Sequence, residues 1–365
     1  DMAAARFETR GLTNYEGLLS DPRNLKRLRK RFGVAHEFSA TELETYAENP
    51  FRFFLGYVLG LDPLAVPGPA TDHARRGSAL HAALAALHQR IAAEPSTEVD
   101  IETLVDWLRE QVGIALPQAG DSPLQRALRR IEREILTARA DRYGVQWQEY
   151  LDAFQSLWDS PPRPVQWEVA FGNAPDEVGD ENRERLPVVV FGVEDDVVRV
   201  RGRIDRIDVG AVGGKAVYTV IDYKLSRSPR TFNIDDVESG RALQLVLYAF
   251  AARRLGFLEA DLFQFGFWSL TGDGFVCGLK QRTKAQKPLD PETAVSLERT
   301  LDRVLPRLVE SIRNGQFPIV TGDPSETYNA DHAAVARMAS FRSVAEVLDK
   351  RLPVATASIP VGSEA

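Results

Sequence analysis

Thiols are almost missing from this sequence: Cys277 is the one cysteine among 365 residues. A single cysteine excludes an intramolecular disulfide framework and any thiolate cluster built from this chain, and it fits a reducing compartment, by default the cytoplasm. Long apolar runs are missing too. No stretch approaches the roughly 18 residues of a spanning helix, and the opening DMAAARFETR lacks the apolar core of a signal peptide, so neither membrane insertion nor secretion is expected. Nor is there an excess of positive charge, the formal net charge being -7. That argues against a surface made wholly for polyanions, although a polyanion reads the local field of a groove and not the total. A phosphate loop is also absent. The nearest approach to G-x-x-x-x-G-K-[ST], the stretch GAVGGKA from Gly210, is one residue short, follows Lys215 with Ala216, and leads into a strand instead of a helix. It reads better as a hairpin connection, with glycines supplying positive φ and Lys215 in solvent.

What is present is enough for one large domain or two: 44% of the residues are hydrophobic and 27% charged. The first half reads as mostly helical. DPRNLKRLRKRF has an N-cap in Asp21 and a proline at the first helical position, and forms a basic helix. SATELETYAENP carries a capping box, Ser39 with Glu42, and Pro50 ends that helix before the aromatic-rich FRFFLGYVLGL. Helical periodicity returns over Arg75 to about Arg90 and Ser122 to about Tyr150. From Val165 the period changes. VQWEVAF, LPVVVFGVE, VVRVRGRIDRIDV and AVYTVIDYK are strands by their β-branched content and turn boundaries. GRALQLVLYAFAARRLG is a helix capped by Gly256, LFQFGFWSLTGDGFVCGLKQ a hairpin turning at Gly272-Asp273-Gly274, and Pro291 to about Asn314 a long helix. No internal repeat is found.

Strand alternation supplies the chemistry. Asp222 and Lys224 share one face, with Ile221 and Tyr223 on the other; Arg199, Arg201, Arg203 and Asp205 share a parity on the preceding strand. The hairpin can set Asp205 opposite Asp222. Adjacent carboxylates repel unless a cation lies between them, and hard oxygen ligands suit Mg²⁺ or Mn²⁺. Asp-x-Lys alone is equally an ordinary strand edge with solvated charges.

The motifs FSATELETYAENPFRFFLGYVLGL, RGSALHAAL, WEVAF, GRIDRID, DYK and QLVLY, in that order, resemble the RecB/AddB-type nucleases of the PD-(D/E)xK superfamily. The resemblance runs from about Phe38 to Phe317. It implies an α/β, restriction-endonuclease-like core, a central mixed sheet flanked by helices, with a helical N-terminal leader and a C-terminal arm. It divides the chain into a basic leader (1–37), a nuclease domain (38–320) with a helical insertion at about 70–160 and an arm (321–352); the end from Pro353, mostly Pro, Ser, Ala, Val and Gly with no periodic apolar face, reads as a flexible tail (353–365). It implies His81, Asp205, Asp222 and the backbone carbonyl of Tyr223 as metal ligands, Lys224 as the catalytic lysine, and Gln244 and Tyr248 as supports for the site and the bound strand.

Each residue keeps a plainer alternative. His81 is otherwise a core histidine, and His88 is core or surface. Asp208 is a second ligand or, as its parity favours, a solvated or turn-capping residue. Glu168 either supports the ligands from behind or forms a strand salt bridge. Gln244 and Tyr248 are otherwise a polar rim on a packed helix.

The activity implied is Mg²⁺-dependent (or Mn²⁺-dependent) hydrolysis of DNA phosphodiesters, exonuclease-like, leaving 5′-phosphate and 3′-hydroxyl ends. Its setting is helicase-coupled DNA end processing and recombinational repair. Arg199, Arg201, Arg203 and the basic helix at Lys26 to Arg31 would grip the backbone of single-stranded or end-containing DNA, or else are solvated faces. With no motor motif in the chain, a helicase region or subunit is an expected partner. The alternatives are a noncatalytic DNA-binding scaffold of such a complex, or another PD-(D/E)xK endonuclease. Many AddB-type relatives carry an iron-sulfur cluster on four cysteines; here Asn49 stands at the leader position and Tyr328, Asp331 and Arg337 near the others. No cluster is expected. The arm from about 320 to 350 is expected to dock near Asn49 and Pro50, with Tyr328 and Phe341 as anchors.

Overall fold

The computed structural model describes residue 14 and residues 17–61, 73–94, 99–116, 122–154, 158–174, 185–193, 196–256, 258–280 and 288–318. The expectations for the arm and the tail fall on residues outside these.

The leader enters as α1 (Pro22–Arg31), where Asp21 accepts a hydrogen bond from the Arg23 amide at 2.7 Å. A short strand, β1 (Glu37–Ser39), runs into α2 (Ala40–Glu48) through the Ser39/Glu42 capping box. Pro50 does more than end that helix. It is the first residue of a new turn, α3 (Pro50–Phe53), capped by Asn49, and a π-helical turn (Phe54–Val58) follows. Proline suits this place because the first amide of a helix has no intrahelical acceptor to lose.

Three helices follow: α4 (His73–Ala93), α5 (Ile101–Ala115) and α6 (Pro123–Phe154). Then come strands β2 (Ser160–Phe171), β3 (Val189–Val193), β4 (Asp196–Val212) and β5 (Lys215–Lys224). A short helix, α7 (Ile234–Glu238), and the buried α8 (Gln244–Leu255) precede β6 (Asp261–Ser269), β7 (Gly274–Cys277) and α9 (Pro291–Arg313). As expected, Gly256 caps α8 in the left-handed conformation, φ 65°.

The seven strands form one mixed sheet, ordered β1-β4-β5-β6-β7, with β2 and β3 also paired to β4. The β1–β4 and β5–β6 pairings are parallel; the others are antiparallel. β4 is thus the axis of the molecule, bonded to four strands along its length. It passes to β5 by a two-residue turn between Val212 and Lys215, where Gly213 and Gly214 have φ of 59° and 74°. This is the tight hairpin geometry that glycine permits and most residues resist.

Each face of the sheet carries its own core. On one, Val220, Tyr218 and Phe265 pack with α8 and with Leu301, Leu305 and Leu308 of α9. On the other, Ile221, Tyr223 and Trp268 pack against Leu84 and Leu87 of α4, Leu108 of α5, and Tyr143 and Trp147 of α6. The segment after α9 closes onto α2 and α3: Phe317 stacks on Phe53 with ring centroids 6.2 Å apart, and the Tyr46 hydroxyl donates to the Gln316 carbonyl at 2.7 Å.

Candidate active site

Antiparallel register brings the two aspartates together. Arg206 lies opposite Ile221, so the next step along each strand sets Asp205 against Asp222, on the face shared with Lys224. Both carboxylates are buried, 8% and 3% exposed. Each is fixed by a hydrogen bond from a neighbour: the Tyr223 amide donates to Asp205 Oδ2 at 2.8 Å, and Gln244 Nε2 donates to Asp222 Oδ1 at 2.9 Å. Burial, with Asp205 adding its charge, pushes the Asp222 carboxyl up to about 7 against the pull of Lys224.

His81 and Glu168 complete the cluster. His81 Nδ1 is 3.5 Å from Asp205 Oδ1 and 3.5 Å from Glu168 Oε1. Burial works against an imidazolium here, but Asp205 and Glu168 overcome it and raise His81 to about 11. Glu168 is the one non-glycine residue at positive φ among the described residues, 50°. Such backbone costs on the order of 1–3 kcal/mol and tends to persist where a side chain must be aimed. The ligand atoms of His81, Glu168 and Asp205 all lie within 4.8 Å of one another. Donors around one divalent ion at about 2.4 Å span that distance. The donor set therefore fits a hard divalent cation: two carboxylates and an imidazole converge, with Asp222 and its unfavourable charge at their side. Glu168 fits neither reading alone: one oxygen lies among the candidate ligand atoms, and the other is 3.8 Å from Arg203 on the neighbouring strand.

Lys224 stands beside this cluster with its Nζ 2.7 Å from Asp222 Oδ2. Burial would strip its proton, but Asp222, Asp205 and Glu44 more than compensate and raise its pKa. It is therefore a fixed cation. Tyr248, one turn beyond Gln244 on α8, packs edge-on to Phe171 at 6.0 Å. The glycine before Arg203 makes this approach possible: a Cβ on Gly202 would lie 2.7 Å from the Tyr248 ring and 2.9 Å from that of Phe171. Sequence reasoning missed Glu44. Its Oε1 accepts from the Leu243 and Gln244 amides at 2.6 and 2.8 Å, anchoring the end of α8 that carries Gln244. The signal was there in principle, one turn and a half into the capped helix, but only the tertiary fold sets it beside α8.

The arginine stripe is drawn into the protein. Arg199 lies 3.4 Å from Glu37, Arg201 3.6 Å from Glu42, and Arg203 3.8 Å from Glu168. Their side chains are 37%, 26% and 12% exposed.

Asp208 requires a correction. Parity does turn it away from Asp205, but the face it turns to is roofed by α4–α6 and not open to solvent. Asp208 and Arg206 are fully buried and bonded to each other, Nε to Oδ1 at 2.6 Å. The Arg206 guanidinium sits over Trp147 and Trp268, 4.7 and 4.9 Å from the ring centroids. It also donates to the Tyr143 and Tyr223 hydroxyls at 3.0 and 3.2 Å. His88 resolves as core: its Nε2 is 2.8 Å from the Tyr223 hydroxyl and 3.1 Å from that of Tyr143. Burial, with Arg206 nearby, keeps it neutral. His81 and His88 lie two turns apart on α4: His88 bonds the Tyr223 hydroxyl, while His81 reaches Asp205 and Glu168 with its ring 5.8 Å from that of Tyr223.

The chain is 29% identical over 225 residues to an ATP-dependent helicase/deoxyribonuclease subunit of Limosilactobacillus fermentum, covering 58% of this chain and 17% of that protein. It is 32% identical over 226 residues to the protein of the same name from Moorella thermoacetica, covering 59% and 17%. The chain therefore spans under a fifth of the length of these relatives. Residues 37–326, which hold every residue of the site just described, match the family profile of the PD-(D/E)XK nuclease superfamily, and to that superfamily the chain belongs.

Proposed function

We propose that the chain is a metal-dependent DNA nuclease, hydrolysing phosphodiester bonds at the cluster of His81, Glu168, Asp205 and Asp222, with Lys224 as the catalytic cation. The observation that carries the reading is the placement of Asp222 and Lys224 on one strand face, with Asp205 opposite and His81 within 3.5 Å of Asp205. A cation ligated by Asp205, Asp222, His81 and the Tyr223 carbonyl, Mg²⁺ or Mn²⁺ by the hardness of the oxygen donors, would polarise the phosphate and lower the pKa of a bound water.

The chain's own residues do the rest. Gln244 and the Tyr223 amide each occupy one oxygen of an aspartate; the other oxygen of Asp205 faces His81, and that of Asp222 meets Lys224. Glu168 orients His81 from 3.5 Å. Lys224, held protonated, orients the attacking water or stabilises the charge that builds on the scissile phosphate. Arg199 and Arg201, the more exposed members of the stripe, and the exposed lysines and arginines of α1 contact the DNA backbone without regard to sequence, an interaction that salt weakens.

The names of the relatives join an ATP-dependent helicase to a deoxyribonuclease. By that likeness the chain acts beside a helicase region or subunit, on single-stranded or end-containing DNA, in end processing and recombinational repair. The test is a gel assay of the purified chain on linear single- and double-stranded DNA with Mg²⁺, Mn²⁺ or EDTA. Cleavage with either metal and none with EDTA is the expected result. DNA binding without cleavage under any condition would favour a noncatalytic scaffold.

A further inference from the structure

A cavity of about 310 Å³ opens next to the candidate catalytic lysine, at the small end of the range for sites that hold small organic groups. Lys224 and Gln244 belong to its wall, so it is continuous with the cluster at Asp222. The loop after β5 contributes Ser226 and Arg230, the approach to α8 contributes Arg241, and the partly exposed Phe267 of β6 lines it as well, 5.8 Å from the Lys224 ammonium.

Charge decides what enters. The arginines of the β4 stripe face protein carboxylates. Arg230 and Arg241 are exposed and form no ion pair with any carboxylate among the described residues; Arg241 only donates through Nε to Ser239 Oγ at 3.0 Å. The carboxylates lining the cavity are mostly engaged already. Glu44 accepts two backbone amides, and Asp236 accepts the Asn233 amide at 3.0 Å; Glu48 stands exposed. A site lined by two guanidinium groups with no ion-pair partner among the described residues, a lysine and an aromatic ring fits a phosphodiester-linked nucleotide.

Resting on the nuclease reading above, we propose that this cavity takes the nucleotide of a DNA single strand that flanks the scissile phosphate. Arg230 and Arg241 bond the next phosphate along, and Phe267 packs on the sugar and base. The cavity thereby sets the register of the strand over Lys224.

The experiment measures the binding of fluorescent oligo(dT) by anisotropy in EDTA, over a range of salt, alongside cleavage by the parent protein with Mg²⁺. The Arg230→Ala/Arg241→Ala variant is expected to bind about tenfold more weakly. Its plot of log affinity against log salt should be shallower by about 0.7 for each phosphate that is no longer neutralised. Phe267→Ala should weaken binding and leave the slope as it was, because it removes packing and no charge. Should the double variant fail to fold, Arg230→Ala alone, an exposed side chain, is read for the same change of slope. Unchanged affinity and slope in a parent that cuts DNA would overturn the cavity assignment and leave the nuclease reading standing. A fall in slope with a parent that never cuts would mark a DNA site with no scissile phosphate beside it, and both readings would be lost.

Discussion

On the proposed reading Asp222 and Lys224 divide the labour of the site, and substitution should separate them. Asp222→Asn removes a ligand charge from a strand that barely changes shape, so cleavage is expected to fall by about 100-fold or more while DNA binding, followed by anisotropy, persists or tightens. Lys224→Ala should lower the cleavage rate by a similar factor, with divalent-metal affinity retained in calorimetry, because the lysine is no ligand. Loss of metal affinity in that variant would mean that Lys224 shapes the ligand set.

The titrating groups supply a pH dependence with a definite sign. Asp222 has a folded pKa of about 7 and His81 of about 11, both raised. The metal-free folded state therefore holds these protons more tightly than the unfolded chain. The stability from Asp222 is complete below its unfolded value and is lost as pH rises through about 7; that from His81 is lost above its unfolded value, through about 11. A cation replaces the protons, so the rise in melting temperature caused by Mg²⁺ should grow from about pH 6 to about pH 8.5. A constant or shrinking increment in calorimetric scans would show that these groups do not meet the metal.

Strand β5 is worked from both sides. On one face it offers Asp222 and Lys224 to the site; on the other, Tyr223 joins the Arg206–Asp208 pair, Tyr143 and His88 beneath α4 and α6. Removing one charge of a fully buried pair leaves the other uncompensated, so Asp208→Ala is expected to cost about 3–5 kcal/mol in denaturant unfolding. Replacing both, Arg206→Met with Asp208→Leu, should cost clearly less, since no charge is then stranded. If the single and double variants lose the same stability, the pair is not the organising contact beneath the sheet. The element that the sequence presents as four separate strands owes its coherence to β4, whose seventeen residues bind β1, β2, β3 and β5.

For the whole molecule, the segment after α9 is drawn to α2 and α3 by Phe317, Phe53 and Tyr46, with no thiol involved. Asn49, a residue that cannot serve as a thiolate ligand, uses its side chain to cap α3 at the Arg52 amide, 2.9 Å away. The purified protein is accordingly expected to be colourless, free of iron in elemental analysis and able to refold with chelators present. Stoichiometric iron with broad visible absorbance would contradict this. Cys277 is buried, and burial raises its thiol to about 12, so it should react slowly with thiol reagents in the native state.

Local chemistry was enough to place much of this. The caps at Asp21 and Ser39, the Gly213-Gly214 turn, the Gly256 terminus and the shared face of Asp222 and Lys224 follow from contacts within a few residues, where rotation about single bonds and strand alternation decide the outcome. Motif order, in turn, pointed to His81 and Gln244 without any geometry. The environment of each face did not follow. Asp208 and His88 have the same local signals as solvated residues, and only the packing of α4–α6 buries them. Arg199, Arg201 and Arg203 read as a free basic stripe until folding brings Glu37, Glu42 and Glu168 against them. Glu44 acquires its partners at Leu243 and Gln244 across some two hundred residues of chain. Alternation determines which way a side chain points, and tertiary packing decides whether water, a carboxylate or an aromatic ring is there to meet it.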